Sequence, residues 1–536
     1  MRTLYHHGIV YTGALPLQQA FLVEDGRFAA VGSDEALEKL EADARVDLGG
    51  RFVCAGFNDS HMHLLGYGHY LSMAQLAGHT GSLRELLAYL RTYLAENPPR
   101  EGQWLKGRGW NHDYFSDEKR MPDRRDLDAV SETIPIVITR ACGHCAVVNS
   151  RALALAGIDE QTPAPEGGAI GRENGQPDGR LYDNAIDLVT AAIPLPDRAG
   201  LEQMILKACA ALNAYGVTSV QTDDYSSFRG VAPEEINAAY RRLAQEGLLT
   251  VRVCEQCNFT TVDELDAFLA QGNTPGAGDA HFRIGPLKLL GDGSLGSRTA
   301  HLSRPYRGTN ERGFSLLSDE QMRSLILQAH EAGMQVAVHA IGDACLDQVL
   351  DAVEAALQKK PRADHRHGVV HCQISRPDQL RRIRALGMQV YAQSIFLDYD
   401  NHIVEKLVDG ELAASSYHWK TLLDSGVRVS NGSDAPVEPP DVLRGVRCAV
   451  TRRSLDGTGP YLPGEAFTVQ EALDSFTLRG AEASFEETIK GAIRPGLLAD
   501  FTVLGRDPFV EPPETLHTIP VLAAYLGGRR VFTREA

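Results

Sequence analysis

Residues 56–69 read GFNDSHMHLLGYGH, and Phe52, Val53, Cys54, Ala55 and Gly56 run into them like the end of a buried strand. The chain then turns to Asp59, His61 and His63. Alternate residues of a strand face the same side. A strand that continues through His61 and His63 therefore presents two imidazoles to one point, which is a metal-binding geometry. Alone the pattern says little. With 18 His in 536 residues, chance places a second His two positions after a first roughly once in two such chains. His365 and His367 repeat the spacing elsewhere. What decides the matter is whether further ligand-type residues stand at the ends of other strands.

Eight β-type runs follow one another: 52–58, VTSVQTDD at 217–224, TVRVCEQCN at 250–258, FRIGPLKLLG at 282–291, MQVAVHAIG at 334–342, HGVVHC at 367–372, MQVYAQS at 388–394 and VRVSNGSDA at 427–435. Between them lie stretches such as PEEINAAYRRLAQEG and SDEQMRSLILQAHEAG, whose apolar residues recur at three and four, as on amphipathic helices. Three pairs of successive strand starts in this series, 217 to 250, 250 to 282 and 334 to 367, differ by 32 or 33 residues. A (β/α)8 barrel needs about 31 per unit. The expected fold is therefore α/β, a (β/α)8 barrel spanning residues 56–485.

Two intervals are too long for one unit. The first, from about 52 to 217, contains WLKGRGWNHDYF and ITRACGHCAVVNSRAL; residues 97–200 are read as an insertion after the first barrel strand, at the active-site face. The second carries GDGSLGSRTAHLSRPYRGTNERG directly after the fourth strand, where a loop sits over the same face. Residues 1–55 and 486–536 alternate as short strands with Gly turns, which predicts one composite β-sandwich domain built from both termini.

Composition narrows the function classes. A net charge of −17 with 43% hydrophobic residues describes a globular protein without the basic surface that nucleic acid or an anionic membrane requires. No run of 18 apolar residues occurs, and MRTLYHHGIV is no signal peptide; a cytoplasmic location is expected. Nine Cys do not form a disulfide framework. The pairs Cys142/Cys145 and Cys254/Cys257 have zinc-like or redox-like spacing; the second lies in TVRVCEQCN, which reads as a strand, where positions three apart face opposite sides.

Ligand-type residues do stand at the carboxyl ends of the strands: His61 and His63 on the first, Lys288 on the fourth, His339 on the fifth, His371 on the sixth and Asp434 on the eighth. Barrel active sites are built at that end, whereas His365 and His367 begin their strand at the opposite face. The order NDSHMH at 58–63, PLKLLGDGSLGSRTA at 286–300, VHAIGD at 338–343, VVHCQ at 369–373, NGSDAPV at 431–437 and KGAIRPGLLADFTVL at 490–504 resembles the amidohydrolase superfamily of metal-dependent hydrolases. Within it, the chain is similar to the amidohydrolase-3 group that includes N-substituted formamide deformylases. The resemblance implies that His61, His63 and Asp434 bind one divalent ion, that His339 and His371 bind a second, and that Lys288, carboxylated by carbon dioxide, bridges them.

The chemistry agrees. Imidazoles and carboxylates suit zinc, and also iron or manganese. A bound cation lowers the pKa of water toward 7, and Asp434 beside it is the natural proton shuttle. Lys288 in the apolar GPLKLL is easier to deprotonate than a surface lysine, which carbamate formation requires; an uncarboxylated Lys288 beside a single ion is the other reading. Trp110, Arg140 and His144 in the insertion and Arg298 on the fourth-strand loop are candidates to orient substrate.

These readings predict hydrolysis of a non-peptide carbon–nitrogen bond, as in an amide, N-formyl or N-acyl compound. The expected partner is a small-molecule amide, with homodimerisation left open. A metal-dependent deaminase of an amino-substituted heterocycle is the alternative. Deaminases of this superfamily carry an acid three residues after the fifth-strand His, where this chain has Gly342. A non-catalytic scaffold on the same fold is the third reading, and it would be expected to have lost ligands that this chain retains.

Overall fold

The computed structural model describes residues 1–100 and 102–535. It divides into two compact units, Met1–Tyr67 with Ala208–Ala536, and Gly68–Lys207.

In the first unit eight parallel strands stand in chain order: β1 Phe57–Met62, β2 Val217–Thr222, β3 Arg252–Asn258, β4 Phe282–Leu290, β5 Val336–Ala340, β6 Gly368–His371, β7 Gln389–Ala392 and β8 Val429–Asn431. Each is hydrogen-bonded to the next, and the segment after β8 bonds back to β1. The Asp434 N–H donates to the His61 carbonyl at 2.8 Å, and the His63 N–H to that of Ala435 at 2.9 Å. The sheet thus closes where both ligand-bearing ends meet.

The first barrel strand is not the run 52–58. Phe52–Ala55 pairs antiparallel with Phe501–Leu504 in a separate five-stranded sheet, and β1 begins only at Phe57. The change occurs at Gly56, whose N–H donates to Asp500 while that of Phe57 donates to Gly216. A Cβ at Gly56 would lie 2.1 Å from Thr218 Oγ1, so the close approach admits only glycine. Because residues on both sides are buried, hydrophobicity does not mark the handover.

The five-stranded sheet runs Ile9–Val10, Phe52–Ala55, Phe501–Leu504, Val521–Leu526, Arg529–Thr533, and a four-stranded sheet runs Arg27–Gly32, Ala20–Glu24, Arg2–His6, Ala44–Asp47. They share one core that includes Tyr5, Phe21, Phe28, Val53 and Phe501. Arg252 on β3 ties the barrel to this layer through a buried pair with Asp500, at 2.6 and 2.9 Å.

The second unit is built on a six-stranded sheet ordered Gly168–Glu173, Gln176–Asp183, Cys145–Val148, Ile136–Arg140, Leu105–Trp110, Ala74–Gln75. It starts at Gly68 rather than near 97, because the helix Leu83–Glu96 buries Leu83, Leu86 and Leu90 in this unit's own core with Trp110 and Ile138. All nine cysteines are free. Among the described residues no helix is long and apolar enough to cross a membrane.

His365 and His367 lie at the amino end of β6, away from the ligand-bearing end, in a buried chain of neutral imidazoles. The Val336 N–H donates to His367 Nδ1 at 3.1 Å, so His367 Nε2–H donates to His330 Nδ1 at 2.8 Å, and His330 Nε2–H to the Lys360 carbonyl at 2.7 Å. His365 accepts from the His367 N–H and donates to Leu386. Burial first, then neighbouring cations and imidazoles, pushes His365 down and His367 well down from the ordinary histidine value. The unfolded chain therefore takes up protons near pH 6.5 that the folded chain refuses, so stability falls as pH drops below that value. Urea midpoints at pH 7.5 and 5.5 should differ less in His367→Gln than in the parent; equal differences would remove these imidazoles from the acid response.

Candidate metal centre

His61 lies within β1 and His63 just past its end. Lys288 is on β4, His339 on β5, His371 at the end of β6, and Asp434 in the turn after β8. His371 (φ 74°) and Asp434 (φ 58°) sit in the left-handed region, which non-glycine residues adopt only where the surroundings enforce it.

Single ligand atoms of His61, His371 and Asp434 all lie within 4.8 Å of one another. His61 Nε2 and His63 Nε2 stand 3.4 and 3.2 Å from the same oxygen, Asp434 Oδ1. The rings of His61 and His371 are 5.7 Å apart, those of His371 and His339 4.4 Å, and Phe396 stacks on His371 at 5.7 Å. His61, His371 and Lys288 are each 1% exposed.

The hydrogen bonds fix which nitrogen faces inward. Gln256 Nε2 donates to the Ser60 carbonyl, which turns its Oε1 to accept from His61 Nδ1–H at 2.7 Å. Gln393 Nε2 donates to the Tyr391 carbonyl, and its Oε1 accepts from His371 Nδ1–H at 2.8 Å. His63 Nδ1–H donates to the Asp223 carbonyl at 2.8 Å. Three Nε2 atoms are thereby directed inward, those of His61 and His63 at the buried Asp434 Oδ1.

Lone pairs do not attract a carboxylate, so the arrangement requires a positive charge between them. Four ligands about 2.0–2.2 Å from a tetrahedral ion are about 3.3–3.6 Å from each other, close to the spacings seen. The residues present fit a divalent ion. A proton is the other candidate, and the groups divide over it. Burial, reinforced by Lys288, pulls His61 down to about 4. At His63 burial is again the largest influence, but hydrogen bonding and attraction to Asp434 carry it up to about 9. Asp434 is held well below the usual carboxylate range, the imidazoles outweighing a burial that alone would raise it. It remains an anion at neutral pH.

His339 is oriented differently. Its Nε2 lies 3.1 Å from the Gly293 carbonyl and 3.4 Å from Asp292 Oδ1. The Lys288 ammonium is 3.6 Å from Asp223 Oδ2, both buried. Asp59 accepts from the Ser433 N–H and hydroxyl and from the His61 N–H, which locks β1 to the turn bearing Asp434. Burial raises Asp59 to about 7.

Of the substrate candidates, Trp110 is fully buried in the second unit and donates its indole N–H to Ile138 at 3.2 Å. Arg140 pairs with Asn111 and Asp113 at 2.8 and 2.7 Å. His144 is exposed beside Asp183. Arg298 is exposed on the loop after β4.

Sequence reasoning assigned nothing to the second, third and seventh strands. Their ends carry Asp223, Gln256 and Gln393, the groups that aim the imidazoles. A polar side chain at a strand end that bears no ligand is the signal that could have found Gln256 and Gln393, since metal-binding histidines need an acceptor on their other nitrogen; Asp223 acts through its main-chain carbonyl, which residue type does not mark.

The family profile described as Amidohydrolase family matches residues 44–532. YtcJ of Bacillus subtilis (strain 168) is 32% identical, aligned over 100% of both chains. The N-substituted formamide deformylase of Arthrobacter pascens is 29% identical over 95% of this chain and 94% of its own. The crystal structure of an uncharacterized metal-dependent hydrolase from Pyrococcus horikoshii OT3 superposes with a TM-score of 0.78 at 27% identity, covering 96% of this chain and 99% of that one. A profile match that begins in the first sheet and ends in the last strand, over a barrel that gathers imidazoles and a carboxylate at one end, places this chain in the amidohydrolase family.

Proposed function

We propose that this protein hydrolyses a carbon–nitrogen bond other than a peptide bond, as in an amide, N-formyl or N-acyl small molecule. The observation that carries the reading is the ionised Asp434 Oδ1 faced by the Nε2 atoms of His61 and His63. Similarity to the formamide deformylase supports the bond type.

A divalent ion held by His61, His63, His371 and Asp434, zinc being well suited to these donors, would supply a water-derived nucleophile at neutral pH and polarise the scissile carbonyl. The chain's own residues do the rest. Gln256, Gln393 and the Asp223 carbonyl hold Nδ1–H of each ring and so keep Nε2 aimed inward. Asp434, an anion at neutral pH, accepts the proton of the attacking water at its carboxylate and returns it to the leaving nitrogen.

The deaminase reading has a steric obstacle. A Cβ at Gly342 would lie 2.0 Å from the His301 carbonyl oxygen, so no acid can occupy the position from which a ring would be protonated. A screen of N-formyl and N-acyl compounds against amino-substituted heterocycles, reading carboxylic acid release against ammonia release, tests the proposal. Ammonia from heterocycles with no turnover of amides would reverse it.

Lys288 tests the number of ions. Its amine can add carbon dioxide and lose a proton, replacing a cation by an anion able to bridge two dications. In that case Lys288→Ala should lose one equivalent of metal and most activity, and bicarbonate or acetate should restore part of both. A parent protein that is fully active with a single ion and an unmodified Lys288 mass would leave a mononuclear site led by His61, His63 and Asp434.

A further inference from the structure

The second unit holds a cavity of about 320 Å³ to which none of the metal-centre residues or substrate candidates contributes. Three of its described lining residues are cations, Arg100, Lys106 and Lys207, and none is an acid, in a chain whose net charge is −17. Arg100 is already matched, its guanidinium 3.1 Å from Asp197.

Among the described residues Lys106 is not matched in that way. Its ammonium is half-buried and lies 2.7 Å from His69 Nε2, an imidazole that accepts the bond and brings no negative charge. Burial lowers Lys106 to about 8, and burial together with the Lys106 charge lowers His69 to about 3. At neutral pH the pair is therefore an ammonium on a neutral imidazole. Desolvating a cation without a counter-charge is costly. Lys207, on the helix Arg198–Ala214, brings a second ammonium to the same cavity from its exposed rim. Ser72, Asn97 and Gln103 add polar groups to the wall.

We propose that this cavity binds a small oxyanion, the carboxylate or phosphate group of a metabolite, between Lys106 and Lys207, with His69 holding the Lys106 ammonium in position. The anion supplies the missing charge, and charge-assisted hydrogen bonds from two ammonium groups are the strong kind. The volume is at the lower end of small-molecule sites, about 300–1,000 Å³. It admits the anionic group and a short carbon frame.

Calorimetric titration of the full-length protein with inorganic phosphate, and separately with succinate, tells the two sources apart. Saturable binding of one of them is expected, one per chain. Lys106→Gln should weaken it about tenfold or more, Lys207→Gln by less, and Lys106→Arg should retain it. Lys359→Gln, which removes an ammonium paired with Glu331 elsewhere, should change nothing. An anion seated at the metal centre would bind Lys106→Gln and Lys207→Gln like the parent, and that result overturns the proposal, as does the absence of binding of either anion at millimolar concentration. Should Lys106→Gln fold poorly by circular dichroism, the rim variant Lys207→Gln and the charge-preserving Lys106→Arg still decide the matter.

Discussion

Asp434→Asn is expected to lower kcat about 100- to 10,000-fold, the usual span of a general acid–base contribution, with metal content retained and KM changed far less. The amide keeps an oxygen where Oδ1 now faces His61 and His63, but it has no basic site for the proton of the attacking water. A deep fall in kcat with KM held is the signature of an interaction made only in the transition state. Near-normal turnover with full metal content would take proton transfer away from Asp434.

His371→Ala should be costlier still, and by a different route. His371 belongs to the tight group with His61 and Asp434; removing its imidazole should empty the centre and abolish hydrolysis, as should a chelator. Loss of several kcal/mol of electrophilic stabilisation, at about 1.4 kcal/mol per tenfold, corresponds to about a thousandfold or more. Gln393→Leu provides the graded control. It leaves the ring but removes the acceptor at Nδ1, and losses of this kind are about 10- to 100-fold in metal affinity or activity. Metal analysis alongside initial rates checks all three proteins. Full activity of metal-free His371→Ala would end the metal-centred account.

The barrel was legible because its strands are short apolar runs, several of them separated by about the length of one strand–helix unit, and a repeat of that length has few structural solutions. The ligand residues were legible for the same reason, since once the strands are placed, their carboxyl ends name His61, Lys288, His339, His371 and Asp434. The rest was hidden by physical circumstances. Phe52–Ala55 and Phe57–Met62 are equally buried, so no change of pattern announces that they belong to different sheets. The helix Leu83–Glu96 has an apolar stripe that would suit the barrel as well as the second unit, and amphipathicity does not say which neighbour covers it. Gln256 and Gln393 are neutral amides whose importance lies in a bond to a residue far away in sequence, and no local spacing reveals it.

The strand at Phe52–Ala55 also sets a schedule for biosynthesis. On one edge it pairs with the short strand Ile9–Val10, made before it; on the other its partner is Phe501–Leu504, which in turn leans on Val521–Leu526 and Arg529–Thr533. Almost the entire polypeptide must leave the ribosome before the segment next to His61 gains that second neighbour. At about 5–20 residues per second the delay is on the order of a minute, during which that edge is open to other chains or to chaperones. A product that stops short of the last strands would carry every metal-binding residue, yet lack the frame on which the first of them hangs.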